Sequence, residues 1–174
     1  RPESLTDESV DYNIVGSEDA KFLIVTYGRL FSYAAKAQEE LKKQGGYDFV
    51  LITRQDLSLQ NPVGLISFFL VKSRLLATSK YVFLNDNFMP MANLNFSKDA
   101  VVTQLWHAEG AFKKFGLSAP LTDEVAKREK KCSAKLTYVI CSSKNVVPIY
   151  SEAFGIDKNK ILPLGAPRID LLLA

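Results

Sequence analysis

The chain has 174 residues, 47% of them hydrophobic and 11% aromatic, enough for one globular core and too apolar for a disordered or low-complexity chain. Its 22 basic and 19 acidic residues leave a net charge of +3, well short of the balance of a dedicated nucleic-acid binder. Two cysteines, Cys132 and Cys141, and one histidine, His107, exclude a disulfide scaffold and a His-rich zinc site.

Residues 1–20 are polar and acidic without sustained periodicity and read as a lead-in arm to one domain over residues 21–174. Phe22 to Tyr27 is a short apolar run rich in β-branched residues, the pattern of a strand buried on both faces. A helical pattern follows over Tyr33 to Gln44, with Ala34, Ala37 and Leu41 on one face, and Gly45-Gly46 stops it. Asp48 to Thr53 repeats the strand pattern, and Pro62 opens a helix that runs to about Ser79. Lys72 and Arg74 interrupt the most apolar stretch, Pro62 to Leu76, well before the roughly 18 apolar residues a membrane span needs.

Lys80 to Leu84 is a third strand, ending in the polar turn Asn85-Asp86-Asn87, and Ala100 to Trp106 is a fourth. Helices are expected over Glu109 to Phe115 and Asp123 to Lys131. A strand over Leu136 to Cys141, a helix over Asn145 to Phe154 and a short strand over Ile161 to Gly165 complete the alternation. The chain opens without Met and closes on the apolar run Leu171 to Ala174, so it reads as a piece of a longer protein. Strands alternating with helices predict an α/β fold, a Rossmann-like, doubly wound parallel sheet. Such sheets work at the carboxyl ends of their strands, which singles out the segments after Tyr27, Leu84 and Trp106.

The segment Thr103 to Gly116 is the foremost chemical candidate, because a buried strand delivers the sole histidine to a sheet edge. Imidazole titrates near neutrality and can accept a proton from an attacking hydroxyl. Glu109 is placed to orient that imidazole or to favour a helix N-terminus, and Lys113 and Lys114 add positive charge for a phosphate-bearing substrate. On the residues alone, a structural histidine donating to a backbone carbonyl outweighs this reading, since one histidine after one strand is a weak signal.

The turn Tyr27 to Tyr33 holds one glycine, Gly28, so the G-x-G-x-x-G dinucleotide fingerprint is absent. Arg29 in that turn either meets an acceptor anion or is simply solvated, and Ser32 suits a helix cap. Ser142 and Ser143 also suit a cap, while Leu164 to Asp170 reads as a loop-to-helix entry. Lys127-Arg128-Glu129-Lys130-Lys131 with Lys135 is a basic patch, fit for a polyanion, an anionic headgroup or plain solvent. Leu65 to Lys72 is apolar nearly all round, which favours a buried crossover helix over an interfacial one.

Trp106-His107 joined to Lys113/Lys114-x-Gly116, then Ser142-Ser143, then Gly165-x-Pro167-Arg168-x-Asp170-x-Leu172 follow one another in a distinctive order. In these motifs the chain resembles the CDP-glycerol:poly(glycerophosphate) glycerophosphotransferases, the teichoic-acid polymerases and primases of Gram-positive bacteria. The resemblance covers about Phe22 to Ala174 and is strongest from Val101 onward. It implies a GT-B-type enzyme of two Rossmann-like domains, of which this chain is the amino-terminal, acceptor-side half.

The donor implied is CDP-glycerol or CDP-ribitol, a substrate, with no resident cofactor and no metal. The partners implied are a lipid-linked polyol-phosphate acceptor and an anionic membrane surface, with no nucleic acid. The place implied is peripheral, on the cytoplasmic face of the plasma membrane. The family's proposed base carries over onto His107, and Arg29, Glu109, Lys113, Lys114 and Arg168 become candidates for holding acceptor or phosphate. Ala108 stands where the family usually has Gly, so the turn after the histidine is expected to be built differently. Two other functions compete: a GT-B sugar-nucleotide glycosyltransferase, and a non-catalytic module that binds membrane or acceptor.

Overall fold

The computed structural model describes residues 22–25, 39–40, 43, 49–52, 62–108 and 110–165. Its strands are β1 (Phe22–Val25), β2 (Phe49–Ile52), β3 (Tyr81–Leu84), β4 (Val101–Gln104), β5 (Tyr138–Cys141) and β6 (Ile161–Pro163). They form one sheet in the order β2-β1-β3-β4-β5-β6, and every neighbouring pair is parallel. The order reverses once, at β1, which is the doubly wound arrangement expected from the alternation of strands and helices. The lead-in arm, the turn after Tyr27, most of the helix expected over Tyr33 to Gln44 and the segment after Gly165 lie outside the described residues.

The described strands β3, β4 and β5 are anchored by fully buried apolar side chains. Val82, Leu84, Val102 and Val139 are each 1% exposed or less, and burying such a side chain contributes roughly 1.5–3 kcal/mol. Register then fixes where the strands end. Val25 pairs with Leu84, and Leu84 pairs with Gln104. The carboxyl ends of β1, β3 and β4 are therefore level, and the segments leaving β3 and β4 emerge side by side.

The helical segment that begins at Pro62 consists of α1 (Pro62–Ser67), a wider π-turn (Phe68–Lys72) and α2 (Ser73–Thr78). Its start and end match the sequence reading, but its burial does not. Phe68, Lys72 and Leu76, at a four-residue spacing, occupy the buried face. Val63, Ile66, Phe69 and Leu70 are 77%, 59%, 66% and 72% exposed. The expected buried crossover helix is thus buried along one narrow stripe only.

The helix expected over Glu109 to Phe115 is absent among the described residues of that segment, which run as bends into a 3-10 turn at Gly116–Ser118. A segment this short between Gly110 and Gly116 cannot repay helix nucleation. Phe115 is extended (φ −147°), and its ring stacks on Trp106. Gly116 follows at φ +54°, where an added Cβ would strike the backbone carbonyl of Ala153, so glycine is required there.

Helix α3 (Asp123–Ser133) is capped by the Thr122 hydroxyl, which accepts the Val125 N–H at 3.4 Å. Asp123 and Glu124 lie in its first turn and Lys130 and Lys131 in its last, as the helix dipole favours. Helix α4 (Val147–Phe154) ends at Gly155 in the left-handed region. A 3-10 turn at Lys144–Val146 intervenes between β5 and α4, so Val146, not a serine, stands at the helix N-terminus. The Ser143 hydroxyl makes no capping bond, and the Ser143 carbonyl accepts the Cys141 thiol at 3.3 Å.

Helix α3 is tied to the end of β3 by Glu129, whose carboxylate accepts a hydrogen bond from the Asn87 amide. Burial pushes the Glu129 carboxyl up, and the Asn87 bond offsets part of that rise. A carboxyl raised in the folded state costs stability above its folded pKa, and the cost vanishes as pH falls below the unfolded value. Glu129→Gln keeps an acceptor for Asn87 without the buried charge. Its urea midpoint should exceed that of the parent at pH 7 and converge with it under acidic conditions; equal midpoints at pH 7 would contradict this assignment.

Candidate active site

The level ends of β3 and β4 place Asn85-Asp86-Asn87 beside Leu105-Trp106-His107. Leu105 N–H continues the ladder to the Leu84 carbonyl at 2.6 Å. Beyond that bond the main chains part, and the Gln104 side chain takes over. Gln104 is 2% exposed. Its Nε2 donates to the Asp86 carbonyl at 3.0 Å, and its Oε1 accepts the Trp106 N–H at 3.0 Å. One buried amide therefore holds the backbone of both strand ends.

Trp106 has φ 62°, the left-handed region, and is the sole non-glycine residue with positive φ among the described residues. Placing a bulky side chain there costs roughly 1–3 kcal/mol, and the surrounding rings hold it in place. Its indole stacks on Phe115 at 5.1 Å and meets Phe154 edge-on at 5.2 Å. Tyr150, fully buried, packs edge-on against Phe115 at 5.4 Å. The Tyr150 hydroxyl donates to the Ala108 carbonyl at 2.8 Å. The turn expected to differ because of Ala108 is thus bent at Trp106 and pinned at Ala108.

This turn presents His107 at the rim. The imidazole lies against the Trp106 ring at 4.3 Å, and its Nδ1 is 3.5 Å from Asp86 Oδ1. The His107 side chain is 47% exposed and that of Asp86 44%, so both face solvent and are open to a substrate. Asp86 Oδ1 also accepts the Asn87 N–H at 2.7 Å. A base half-open to solvent, beside a carboxylate and on a braced turn, can take a proton from a hydroxyl delivered to the sheet edge.

Lys113 and Lys114 are exposed on the loop between Gly110 and Phe115. They do not lie on a helix, but the stacking of Phe115 on Trp106 anchors their loop to the histidine turn. Arg29, Glu109 and Arg168 lie outside the described residues. A groove of about 240 Å³ on α3 is lined by Lys127, Arg128, Lys131, Glu124 and Asn93. Within it Arg128 pairs with Glu124 at 3.1 Å, so the basic patch is a cationic surface with one internal ion pair. No group of three or more His, Cys, Asp or Glu side chains suited to a metal gathers among the described residues, and none of their helices is long and apolar enough to cross a membrane.

Sequence reasoning singled out His107 as a candidate and passed over the groups the structure places around it. Asp86 had a signal, a polar turn at a strand's carboxyl end. Gln104 had a weaker one, an amide inside an apolar strand. Tyr150 had none, because a tyrosine in an amphipathic helix reads as ordinary core.

The sequence profile of the CDP-glycerol:poly(glycerophosphate) glycerophosphotransferases matches residues 27–174. The chain is 33% identical over 137 residues to a teichoic acid poly(ribitol-phosphate) polymerase of Bacillus spizizenii, covering 76% of this chain and 21% of that protein. It is 39% identical over 101 residues to a teichoic acid ribitol-phosphate primase of the same organism, covering 55% of this chain and 25% of the primase. To a teichoic acid glycerol-phosphate primase of Bacillus subtilis it is 28% identical over 157 residues, covering 80% and 41%. The chain thus spans well under half of the length of these relatives. In fold it is similar to the wall teichoic acid polymerase TagF, with a TM-score of 0.64 at 14% identity over 88% of this chain and 42% of that one. By the match over residues 27–174, the chain belongs to the CDP-glycerol:poly(glycerophosphate) glycerophosphotransferase family.

Proposed function

We propose that this chain is the acceptor-side, amino-terminal domain of a GT-B-type alditol-phosphate transferase of cell-wall polymer synthesis. In this reading the hydroxyl of a lipid-linked polyol-phosphate attacks the β-phosphorus of CDP-glycerol or CDP-ribitol. The new bond joins the acceptor oxygen to that phosphorus, the bond from phosphorus to the oxygen bridging to CMP breaks, and CMP departs. His107 takes the hydroxyl proton. Lys113 and Lys114 draw in phosphate oxygens, and Arg29, Glu109 and Arg168 are the further candidates for holding acceptor or phosphate. The donor is a substrate, and the reading invokes neither a resident cofactor nor a metal.

One observation carries this reading: the chain's sole histidine stands half-open at the carboxyl end of β4, on a turn braced by Gln104 and Tyr150. Phosphoryl transfer asks a protein chiefly for positioning and charge, and a braced base at a strand end supplies positioning. The names of the relatives, polymerases and primases of teichoic acid, support the choice of donor and acceptor.

The membrane completes the proposal. The outward row Val63, Ile66, Phe69 and Leu70 suits the boundary between headgroups and acyl chains, and the lysines and arginine of α3 suit anionic headgroups. Together they favour a peripheral enzyme on the cytoplasmic face of the plasma membrane, where a lipid-linked acceptor is met.

The transfer reading is tested by offering CDP-glycerol, CDP-ribitol and a UDP-sugar separately to the intact protein with a lipid-linked acceptor. CMP release should fall by about 10²–10⁴-fold on His107→Ala, the usual weight of a general base. UDP release would instead indicate a glycosyltransferase, and acceptor binding without release from any donor a non-catalytic module. The membrane reading is tested by co-sedimentation with phosphatidylglycerol vesicles. Replacing Phe69 and Leu70 with Glu should weaken binding at least about tenfold; a parent chain that stays in the supernatant would overturn it.

A further inference from the structure

We infer that Asp86 is a positioning residue for His107, holding the imidazole in the form that carries its proton on Nδ1 and its basic lone pair on Nε2. The inference rests on the transferase reading and adds a residue to it. Asp86 Oδ1 lies 3.5 Å from Nδ1, at the outer edge of hydrogen-bond reach. Such contacts are commonly long before substrate arrives and tighten in the reactive complex.

Asp86 is held by bonds that do not involve the imidazole. Its carbonyl accepts from Gln104 Nε2 at 3.0 Å, its Oδ1 accepts the Asn87 N–H at 2.7 Å, and the Asn87 amide is in turn bound by Glu129 of α3. The histidine turn is held by the other end of the same glutamine. The carboxylate is thus held from the β3 end and α3 and the imidazole from the β4 end, with Gln104 joining the two. A carboxylate so placed does what the orienting carboxylate of a hydrolase triad does. It selects the tautomer and stabilises the imidazolium once the acceptor proton arrives on Nε2. Asp86 is distant from His107 in sequence and neighbours it in space.

The test reads the imidazole nitrogen-15 signals of His107 in the intact protein, assigned by their loss in His107→Gln. In the parent chain the Nδ1–H tautomer should predominate. Asp86→Ala should shift the neutral ring toward the Nε2–H form that imidazole prefers by itself, and an unchanged tautomer ratio would overturn the inference.

In the intact protein Asp86→Asn should lower kcat by about 10–100-fold with KM nearly unchanged, and Asp86→Glu should recover part of the loss. Normal turnover by Asp86→Asn beside an inactive His107→Ala would reject Asp86 and leave the transferase reading standing. Full activity of His107→Ala would instead remove the base itself, and with it the role assigned to Asp86. Asp86→Asn retains an acceptor for the Asn87 N–H, so the kinetic comparison holds even if Asp86→Ala fails to fold.

Discussion

The site depends on one buried amide. Leaving a polar group unpaired in the interior costs about 1–3 kcal/mol, so Gln104 at 2% exposure must have partners. It finds them on two separate strand ends, the Asp86 carbonyl and the Trp106 N–H. The requirement to satisfy one side chain therefore fixes the spacing between the segments leaving β3 and β4. Parallel register has already made those strands end level, and the glutamine carries the alignment one step beyond the ladder. The relation between Asp86 and His107 follows from it.

The second constraint is aromatic. Trp106 occupies a backbone region that tryptophan avoids, and it stays there because Phe115 and Phe154 pack against it, with Tyr150 backing Phe115. Ring pairs of this kind contribute about 0.5–1.5 kcal/mol beyond burial, enough in sum to offset the strain. The tyrosine then adds a directional bond to the Ala108 carbonyl, which closes the histidine turn. Among the described residues of that segment, extended Phe115 stacks its ring on Trp106 and braces the turn.

Much of this was legible from the residues. The strands lie within the predicted apolar runs, mostly trimmed at the ends, because short apolar runs rich in β-branched residues have a strong signature. Sequence also singled out His107, a weak signal on the residues alone that the family resemblance strengthened. What escaped was set by tertiary contact. Whether Phe69 and Leu70 face the sheet or solvent depends on the width of the surface they meet, which periodicity does not encode. Asp86 is far from His107 along the chain and becomes its neighbour through strand order alone. Tyr150 reaches Ala108 across a helix-to-loop contact that no local pattern announces.

The central claim is that Gln104 joins the two strand ends into one working unit, and the most direct measurement is a double-mutant cycle on transfer rate. Gln104→Leu keeps the side chain buried and removes both bonds, so the chain should fold with reduced stability and transfer should slow at least about tenfold. Adding Asp86→Asn to Gln104→Leu should then cost much less than it costs in the parent protein, because the carboxylate is already displaced. Fully additive losses, or an unchanged rate in Gln104→Leu, would contradict the account.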